Sequence, residues 1–184
     1  AKWAYITLRR AGVSASVSVC ENIADYCLCD MARVSVEVDK LIDYKPQNAL
    51  TEQDIESLVF KDADFRLYEL TNTVARRDYA KFCVIKDEIL KKGGDEVYIL
   101  NGLFNYFKNL LTVLTSRYDA ARLSSILKMK EYGVKKSAEQ AEAIGRKKLE
   151  YLTEYVYLRI AEIKSGKILP AAALINAQNA IFFG

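Results

Sequence analysis

Histidine is absent from this chain of 184 residues, and glycine and proline are scarce, with 8 and 2 copies. The lack of histidine excludes serine–histidine and cysteine–histidine nucleophiles, although lysine-based variants of that chemistry stay open. The scarcity of glycine and proline leaves few tight turns, which argues against an all-β sandwich or barrel. Because 51% of the residues are hydrophobic, a packed core can form, and we predict an all-α fold.

Nucleotide-binding motifs and membrane-spanning segments are also missing. No GxxxxGK[ST] phosphate loop occurs and no GxGxxG motif follows a strand, while the glycine pair Gly93-Gly94 ends a helix. No apolar run approaches the ~20 residues that a transmembrane helix needs. The sequence therefore predicts no cofactor and no membrane contact.

The four cysteines, Cys20, Cys27, Cys29 and Cys83, do not follow a disulfide or metal-binding pattern. They contain no CxxC pair, and Cys27 and Cys29 are too close in sequence for the usual zinc spacing. Cysteine is among the most buried residue types. We therefore expect all four side chains to pack in the core of a protein from the reducing cytoplasm.

Asp62 and Asp64 come nearest to a paired-carboxylate site. They lie between Lys61 and Arg66, in a stretch that we interpret as a solvated charged linker rather than as a general acid and base. The sequence predicts no catalytic, cofactor-binding or metal-binding residue.

A small excess of positive charge leaves nucleic-acid binding open. The net charge is +3, far from the concentrated basic stripe of dedicated nucleic-acid-binding proteins. We interpret the clusters Lys91-Lys92, Lys135-Lys136 and Arg146-Lys147-Lys148 as solvated helix surfaces. The 12 tyrosines and 7 phenylalanines mostly fall at helical spacing, so we expect packing rather than base stacking.

The stretch CDMARVSVEVDKLIDY, residues 29–44, supports two local structures. Its middle, residues 34–38, alternates apolar and polar residues as a half-buried strand does. However, Met31, Val34, Val38 and Leu41 recur at helical spacing. Since Asp30 can cap a helix and Pro46 can stop one, we predict a helix with these four residues on its inward face.

The remaining apolar patterns predict a series of amphipathic helices. Before the domain boundary, the predicted helices cover 1–10, capped by Gly12, then a stretch from Ser14 or Ser16 through Cys27, and a helix from Thr51 onward with Asp54 in a near-capping box. After it, they cover 65–75, 79–90, 100–114 and 120–127, the last of these before Gly133. A weakly apolar helix follows Lys136 through 141–144, another covers 149–163 and ends at Ser165-Gly166, and Pro170 opens the last helix. We place a domain boundary at 60–65, giving a small domain of three or four helices, 1–60, and a helical bundle, 61–184.

Six collinear segments resemble one protein family. CDMARVSVEVDKLIDY is similar to the lid segment of the bacterial DNA polymerase III delta subunit, a clamp-loader component, with Asp30, Arg33 and Glu37 in register. The other five segments follow in family order and extend the resemblance over nearly the whole chain: ALTEQDIESLV, RLYELTNTVARRDYAKF, ILNGLFNYFKNLL, MKEYGVKKSAEQAEAIG and AEIKSGKILPAAALINAQ.

The resemblance implies an AAA+-type helical lid, 1–60, followed by a collar domain, 61–184, that assembles with other clamp-loader subunits in DNA replication. The family's sliding-clamp contact lies on an N-terminal domain that we expect to precede Ala1, because the chain lacks an initiator Met. The family is a non-catalytic part of the polymerase holoenzyme, in the nucleotidyltransferase class. The resemblance therefore implies that this chain is no enzyme by itself, contacts DNA indirectly within the complex and does not depend on ATP.

The family pattern is broken before this lid helix. Leu28 replaces a family glycine, and Cys29 replaces an Asn or Gly. Arg33 lies near a nucleotide-sensing arginine of related ATPases, but we interpret it as a surface residue paired with Glu37. Two other hypotheses remain: a helical nucleic-acid-binding module that uses the Lys and Arg clusters, and a helical enzyme with a lysine or carboxylate site.

Overall fold

Helices make up most of the computed structural model, which describes residues 1–44 and 48–184. The predicted all-α fold is confirmed. The helices within those ranges are α1 (Lys2–Arg10), α2 (Val17–Tyr26), α3 (Met31–Tyr44), α4 (Glu52–Leu58), α5 (Ala63–Arg76), α6 (Tyr79–Lys91), α7 (Glu96–Thr115), α8 (Ala120–Leu127), α9 (Glu131–Ile144), α10 (Arg146–Lys164) and α11 (Pro170–Phe182). Two short strands, β1 (Ser14–Ala15) and β2 (Ala49–Leu50), pair in parallel.

The chain divides into two compact units, Ala1–Arg66 and Leu67–Gly184, and the division falls inside α5. The N-terminal unit is built from α1 to α4, whose apolar faces meet in one cluster. Its fully buried members include Leu8, Ile23, Val38, Leu41 and Ile55. The strand pair, which the sequence did not predict, joins the segment after α1 to the segment before α4.

Residues 31–44 form the predicted helix α3, so the strand interpretation of this stretch is wrong. The Asp30 carboxylate accepts hydrogen bonds from the backbone N–H groups of Ala32 and Arg33, at 2.9 and 3.3 Å. Val34, Val38 and Leu41 are buried as predicted, but Met31 is 54% exposed and does not belong to the inward face. The predicted stop at Pro46 lies outside the described residues.

Helices α1 and α2 end in the same backbone geometry with different residues. After α1, Gly12 has φ 77°, and the N–H groups of Gly12 and Val13 donate to the carbonyls of Arg9 and Leu8. After α2, Leu28 occupies the equivalent left-handed position with φ 53°. Gly12 therefore caps its helix as predicted, whereas Leu28 carries a side chain where glycine is the favoured residue.

Local capping chemistry also fixes the starts of α2 and α4. Ser16, rather than Ser14, caps α2 by accepting from the Val19 N–H at 3.2 Å. At α4, the Thr51 hydroxyl accepts from the Asp54 N–H while the Asp54 carboxylate accepts from the Thr51 N–H, at 3.2 and 2.8 Å. This reciprocal pair is a complete capping box and confirms the predicted start.

Helix α7 lies at the centre of the C-terminal unit and packs against α9, α10 and α11. The unit's apolar cluster buries side chains from α5, α6, α7, α9, α10 and α11. The largest fully buried ones are Phe82, Leu70, Ile99, Leu100, Leu103, Phe107, Leu110 and Leu149. Within the described ranges, no helix is both long and apolar enough to cross a membrane.

Two glycines of this unit lie inside helices. Gly133 lies in the first turn of α9, which begins at Glu131 and not after Lys136 as predicted. Gly102 is buried in α7, and a β-carbon added there would lie 2.4 Å from the methyl groups of Leu67. The absence of a side chain at Gly102 therefore leaves room on α7 for the Leu67 side chain of α5.

Candidate functional site

The segment that precedes α5 is anchored by ionic contacts and is not a solvated linker. Lys61 is only 3% exposed, and its Nζ atom lies 2.6 Å from the Glu56 carboxylate and 4.4 Å from the centre of the Tyr26 ring. The Asp62 N–H also donates to the Tyr26 carbonyl at 2.9 Å. The expectation of a solvated linker was wrong for Lys61 and Asp62, because Tyr26 on α2, which contacts both residues, is distant in sequence.

Arg33 pairs with Asp62 and not with Glu37 as predicted. Glu37 pairs with Lys40 and accepts from the Phe60 N–H at 3.2 Å. The side chain of Asp62 is 13% exposed, so Arg33 compensates a carboxylate that has lost much of its water. Arg33 therefore holds the Asp62 side chain and Glu37 holds the Phe60 backbone, both from α3.

The Glu56 carboxylate is the ionised centre of this arrangement. Burial by itself raises the pKa of Glu56, but hydrogen bonds from Lys61 and Tyr26 outweigh it and hold the pKa below its ordinary value. The Tyr26 hydroxyl donates to Glu56 at 2.7 Å. Since every charge here faces an opposite charge or a hydrogen-bond donor, the geometry is that of a structural clamp and not of an acid–base pair.

A cavity of about 570 Å³ lies beside this clamp in the N-terminal unit. Its walls are mainly apolar, and the exposed side chains of Val36 and Phe60 line its rim. Cys27 also lines it, and burial raises the pKa of that thiol. In the described residues, no group of three or more Cys, Asp or Glu side chains is arranged to hold a metal ion.

The cysteines occupy three environments. Cys20 and Cys27 are buried in the N-terminal core as expected, Cys83 is half-buried, and all four are free thiols. Cys29 is exposed, so the expectation of core packing was wrong there. Its exposure follows from its position in the turn after α2, where φ is 60°.

Most tyrosines lie at the surface, contrary to the expectation of core packing. The exposed ones are Tyr5, Tyr44, Tyr68, Tyr79, Tyr118, Tyr132, Tyr151 and Tyr157. Helical spacing alone misassigned them, because a tyrosine can keep its ring on an apolar surface and its hydroxyl in water. By contrast, burial raises the pKa of Tyr106, whose hydroxyl contacts Gln140 at 3.2 Å.

Helix α10 is apolar on two faces. Leu149, Leu152, Val156 and Ile160 are buried against the unit's core. On the outward side, Tyr151 and Leu158 are 51% and 44% exposed, and the ring of Tyr155 lies 5.6 Å from that of Tyr151. These three residues are spaced by four and three positions, so they form one stripe, which we call the α10 stripe.

Helix α11 contains no charged residue between Pro170 and Phe182. Its inward side is buried, while Ile175 is 54% exposed and Phe183, just after the helix, is 70% exposed. Surface helices normally carry charged residues on their solvent face. A depletion of charge combined with exposed aromatic side chains is typical of the core of protein–protein interfaces.

The predicted basic clusters lie on separate helices. Lys91, Lys92 and Lys135 are exposed, whereas Lys136 is half-buried with its Nζ atom 3.4 Å from the Tyr68 hydroxyl. In the third cluster, Arg146 pairs with Glu150 at 2.8 Å and Lys148 donates to the terminal Gly184 carbonyl at 2.7 Å. The third cluster is thus partly neutralised by its own surroundings.

Comparison with known proteins points to one family. The family model described as DNA polymerase III delta subunit, C-terminal domain, matches residues 65–175. The chain is 23% identical to DNA polymerase III subunit delta of Bacillus subtilis (strain 168) over 141 residues, which are 74% of this chain and 41% of that protein.

The fold is similar to a solved structure as well. The Bacillus subtilis DNA clamp loader delta protein superposes with a TM-score of 0.77 at 18% identity, over 98% of this chain and 55% of that one. The chain thus spans about half the length, or less, of the relatives it matches.

Proposed function

Since this chain belongs to the DNA polymerase III delta subunit family through its C-terminal domain, we propose that it acts as a non-catalytic assembly subunit of a clamp loader. The complex would place a sliding clamp on DNA during replication, in the cytoplasm. The partners are the other clamp-loader subunits, while the clamp itself would be contacted by a further N-terminal domain. Residues 1–60 would be the lid and residues 61–184 the collar.

The observation that carries this proposal is the apolar outward surface of α10 and α11. The α10 stripe lies wholly within the matched residues 65–175. Tyrosine is enriched among the residues that contribute most of the binding energy of protein interfaces, and a leucine side chain adds about 1.5–3 kcal/mol when a partner removes it fully from water. We infer that the α10 stripe binds a neighbouring subunit.

The test uses the full-length protein mixed with the clamp-loader ATPase subunits at micromolar concentration. Size-exclusion chromatography should recover one complex with the unmodified protein. The double variant Tyr151→Glu/Leu158→Glu should weaken assembly by about tenfold or more, because burying two unpaired carboxylates is costly.

The matched control is Val84→Glu, which adds a carboxylate at another exposed apolar position, 57% exposed on α6. It should leave assembly unchanged, and circular dichroism should find all variants equally folded. Failure of the unmodified protein to assemble would refute the proposed function. Equal loss with Val84→Glu would refute the assignment to the α10 stripe.

A further inference from the structure

Helix α1 is apolar at the position that lies farthest from the core. Ala4 and Leu8 are fully buried, and Ile6 lies about 160° around the helix from both of them, at 3.6 residues per turn. Ile6 is nevertheless 39% exposed, and Trp3, its neighbour at the i,i+3 spacing, is 40% exposed. Because a surface helix normally carries polar residues on this side, the outward side of α1 is unlike a solvated surface.

The apolar pair is surrounded by positive charge. Helix α1 carries Lys2, Arg9 and Arg10, all exposed, and contains no Asp or Glu. Within residues 1–44 and 48–184, none of these three cations forms an ion pair. We call Trp3, Ile6 and the three cations the α1 face. Tryptophan and arginine are enriched among the residues that contribute most of the binding energy of protein interfaces.

A small cavity lies beside the end of α1. Its volume is about 200 Å³, and it is lined by Tyr5 and Arg9 of α1 and by residues 12–15. Pockets for whole small molecules are larger, about 300 Å³ or more, so this cavity suits a single side chain. An aspartate or glutamate side chain fits its chemistry, since a guanidinium pairs well with a carboxylate.

The arrangement of the α1 face favours an acidic protein segment over other occupants. An apolar centre with a polar rim is the usual anatomy of a protein interface. A second copy of the chain would place the three cations against their own equivalents, which repel. Nucleic acid is held mainly through its phosphates, but Ile6 and not a cation is the outermost residue here. A lipid surface needs a large apolar area to bind a helix, and Trp3 and Ile6 offer a small one.

We propose that the α1 face binds an acidic amphipathic segment of a protein partner. The apolar side chains of that segment cover Trp3 and Ile6, while its carboxylates pair with Lys2, Arg9 and Arg10. The α1 face lies outside the matched residues 65–175. This binding therefore goes beyond the proposed assembly role and does not depend on it.

The test uses the fluorescence of Trp3, which is the only tryptophan of the chain. The probe is a synthetic amphipathic helix about 15 residues long, with leucine along one face, glutamate on both flanks and no tryptophan. Binding should shift the Trp3 emission to shorter wavelength, because the partner removes the ring from water, and it should weaken as salt rises. An unchanged emission, or equal binding of a probe with lysine in place of glutamate, would refute the proposal.

The apolar centre is tested by Ile6→Glu, which should lower the affinity about tenfold or more, because the new carboxylate faces those of the probe. The matched control is Val36→Glu, at an apolar position of α3 that is 65% exposed. It should bind as the unmodified chain does, and circular dichroism should find both variants equally folded. Equal loss in Val36→Glu would overturn the assignment to α1.

The cationic rim is tested by Arg9→Ser/Arg10→Ser, which should lower the affinity about tenfold and flatten its salt dependence. The matched control is Lys81→Ser/Lys91→Ser, which removes two exposed lysines of α6. This control should leave both quantities unchanged. Equal loss in the control would overturn the proposal, because binding would then follow net charge alone.

The competing occupants are measured with the same chain. Tighter binding of oligothymidylate, or of phosphatidylglycerol vesicles, would overturn the proposal in favour of nucleic acid or a lipid surface. Dimerisation that Ile6→Glu abolishes would overturn it in favour of a second copy. Full-length protein should bind a labelled probe in fluorescence anisotropy as this chain does. Binding by this chain alone would overturn the proposal, because another part of the polypeptide would then cover the α1 face.

Discussion

At the scale of single residues, Leu28 and Cys29 carry backbone strain at a helix end. Both have positive φ, 53° and 60°, a region that costs residues with a side chain about 1 kcal/mol or more. Their N–H groups still bond the carbonyls of Asp25 and Ala24, at 2.9 and 2.7 Å. The turn therefore keeps the hydrogen bonds of a glycine-capped helix without its glycine.

The exposed position of Cys29 allows this strain to be relieved. We expect Cys29→Gly to raise the free energy of unfolding by about 0.5–1 kcal/mol, because the relieved strain exceeds the added entropy of the unfolded chain. Cys29→Ala keeps the β-carbon and should change stability by less than about 0.5 kcal/mol. Urea denaturation measures both, and an equal effect of the two variants would contradict the strain.

At the scale of elements, the contact between α5 and α7 depends on Gly102. Alanine is favoured over glycine inside a helix by about 1 kcal/mol, so this buried glycine has a packing reason. The reason is Leu67, whose methyl groups occupy the space of the missing β-carbon. Helix propensity and interhelical packing therefore oppose each other at this position.

These opposing effects predict that Gly102→Ala changes stability in opposite directions depending on whether residue 67 is leucine or alanine. Gly102→Ala alone should destabilise the protein by about 1 kcal/mol, because overpacking costs more than the gain in helix propensity. In a Leu67→Ala background, the same substitution should stabilise, since the clash is removed and the propensity gain remains. A thermal-denaturation double-mutant cycle measures the coupling, and purely additive effects would contradict the contact between Leu67 and position 102.

Sequence reasoning predicted those elements whose signals are local. The bounds of α8, the start of α11 at Pro170 and the capping box of Thr51 and Asp54 each depend on residues within a turn of one another. The Arg33–Asp62 pair joins residues far apart along the chain, and no local pattern encodes it. The exposed tyrosines were misassigned for a related reason, because periodicity does not reveal whether a face has a partner.

At the scale of the whole molecule, each of the two units has its own apolar cluster. The C-terminal cluster draws only on α5 to α11. A core of this size within about 120 residues can stabilise a domain by itself. The covalent chain therefore carries two separate sets of core contacts.

We expect the fragment 63–184, which keeps all of α5, to fold alone. Circular dichroism should give a helical spectrum and a cooperative thermal transition. The variant Leu103→Asp should abolish that transition, because Leu103 is fully buried and an unpaired buried carboxylate is not tolerated. A fragment without a cooperative transition would contradict the independence of this core.

The uncharged surface of α11 has a consequence for the amount of the protein that a living cell maintains. On the proposed assembly, a copy made in excess of its partners keeps Ile175 and Phe183 in water, where chaperones and proteases recognise exposed apolar segments. Bound copies are protected from degradation because their apolar surface is covered. The amount of this subunit would then follow the abundance of its partners, with no transcriptional control needed to match them.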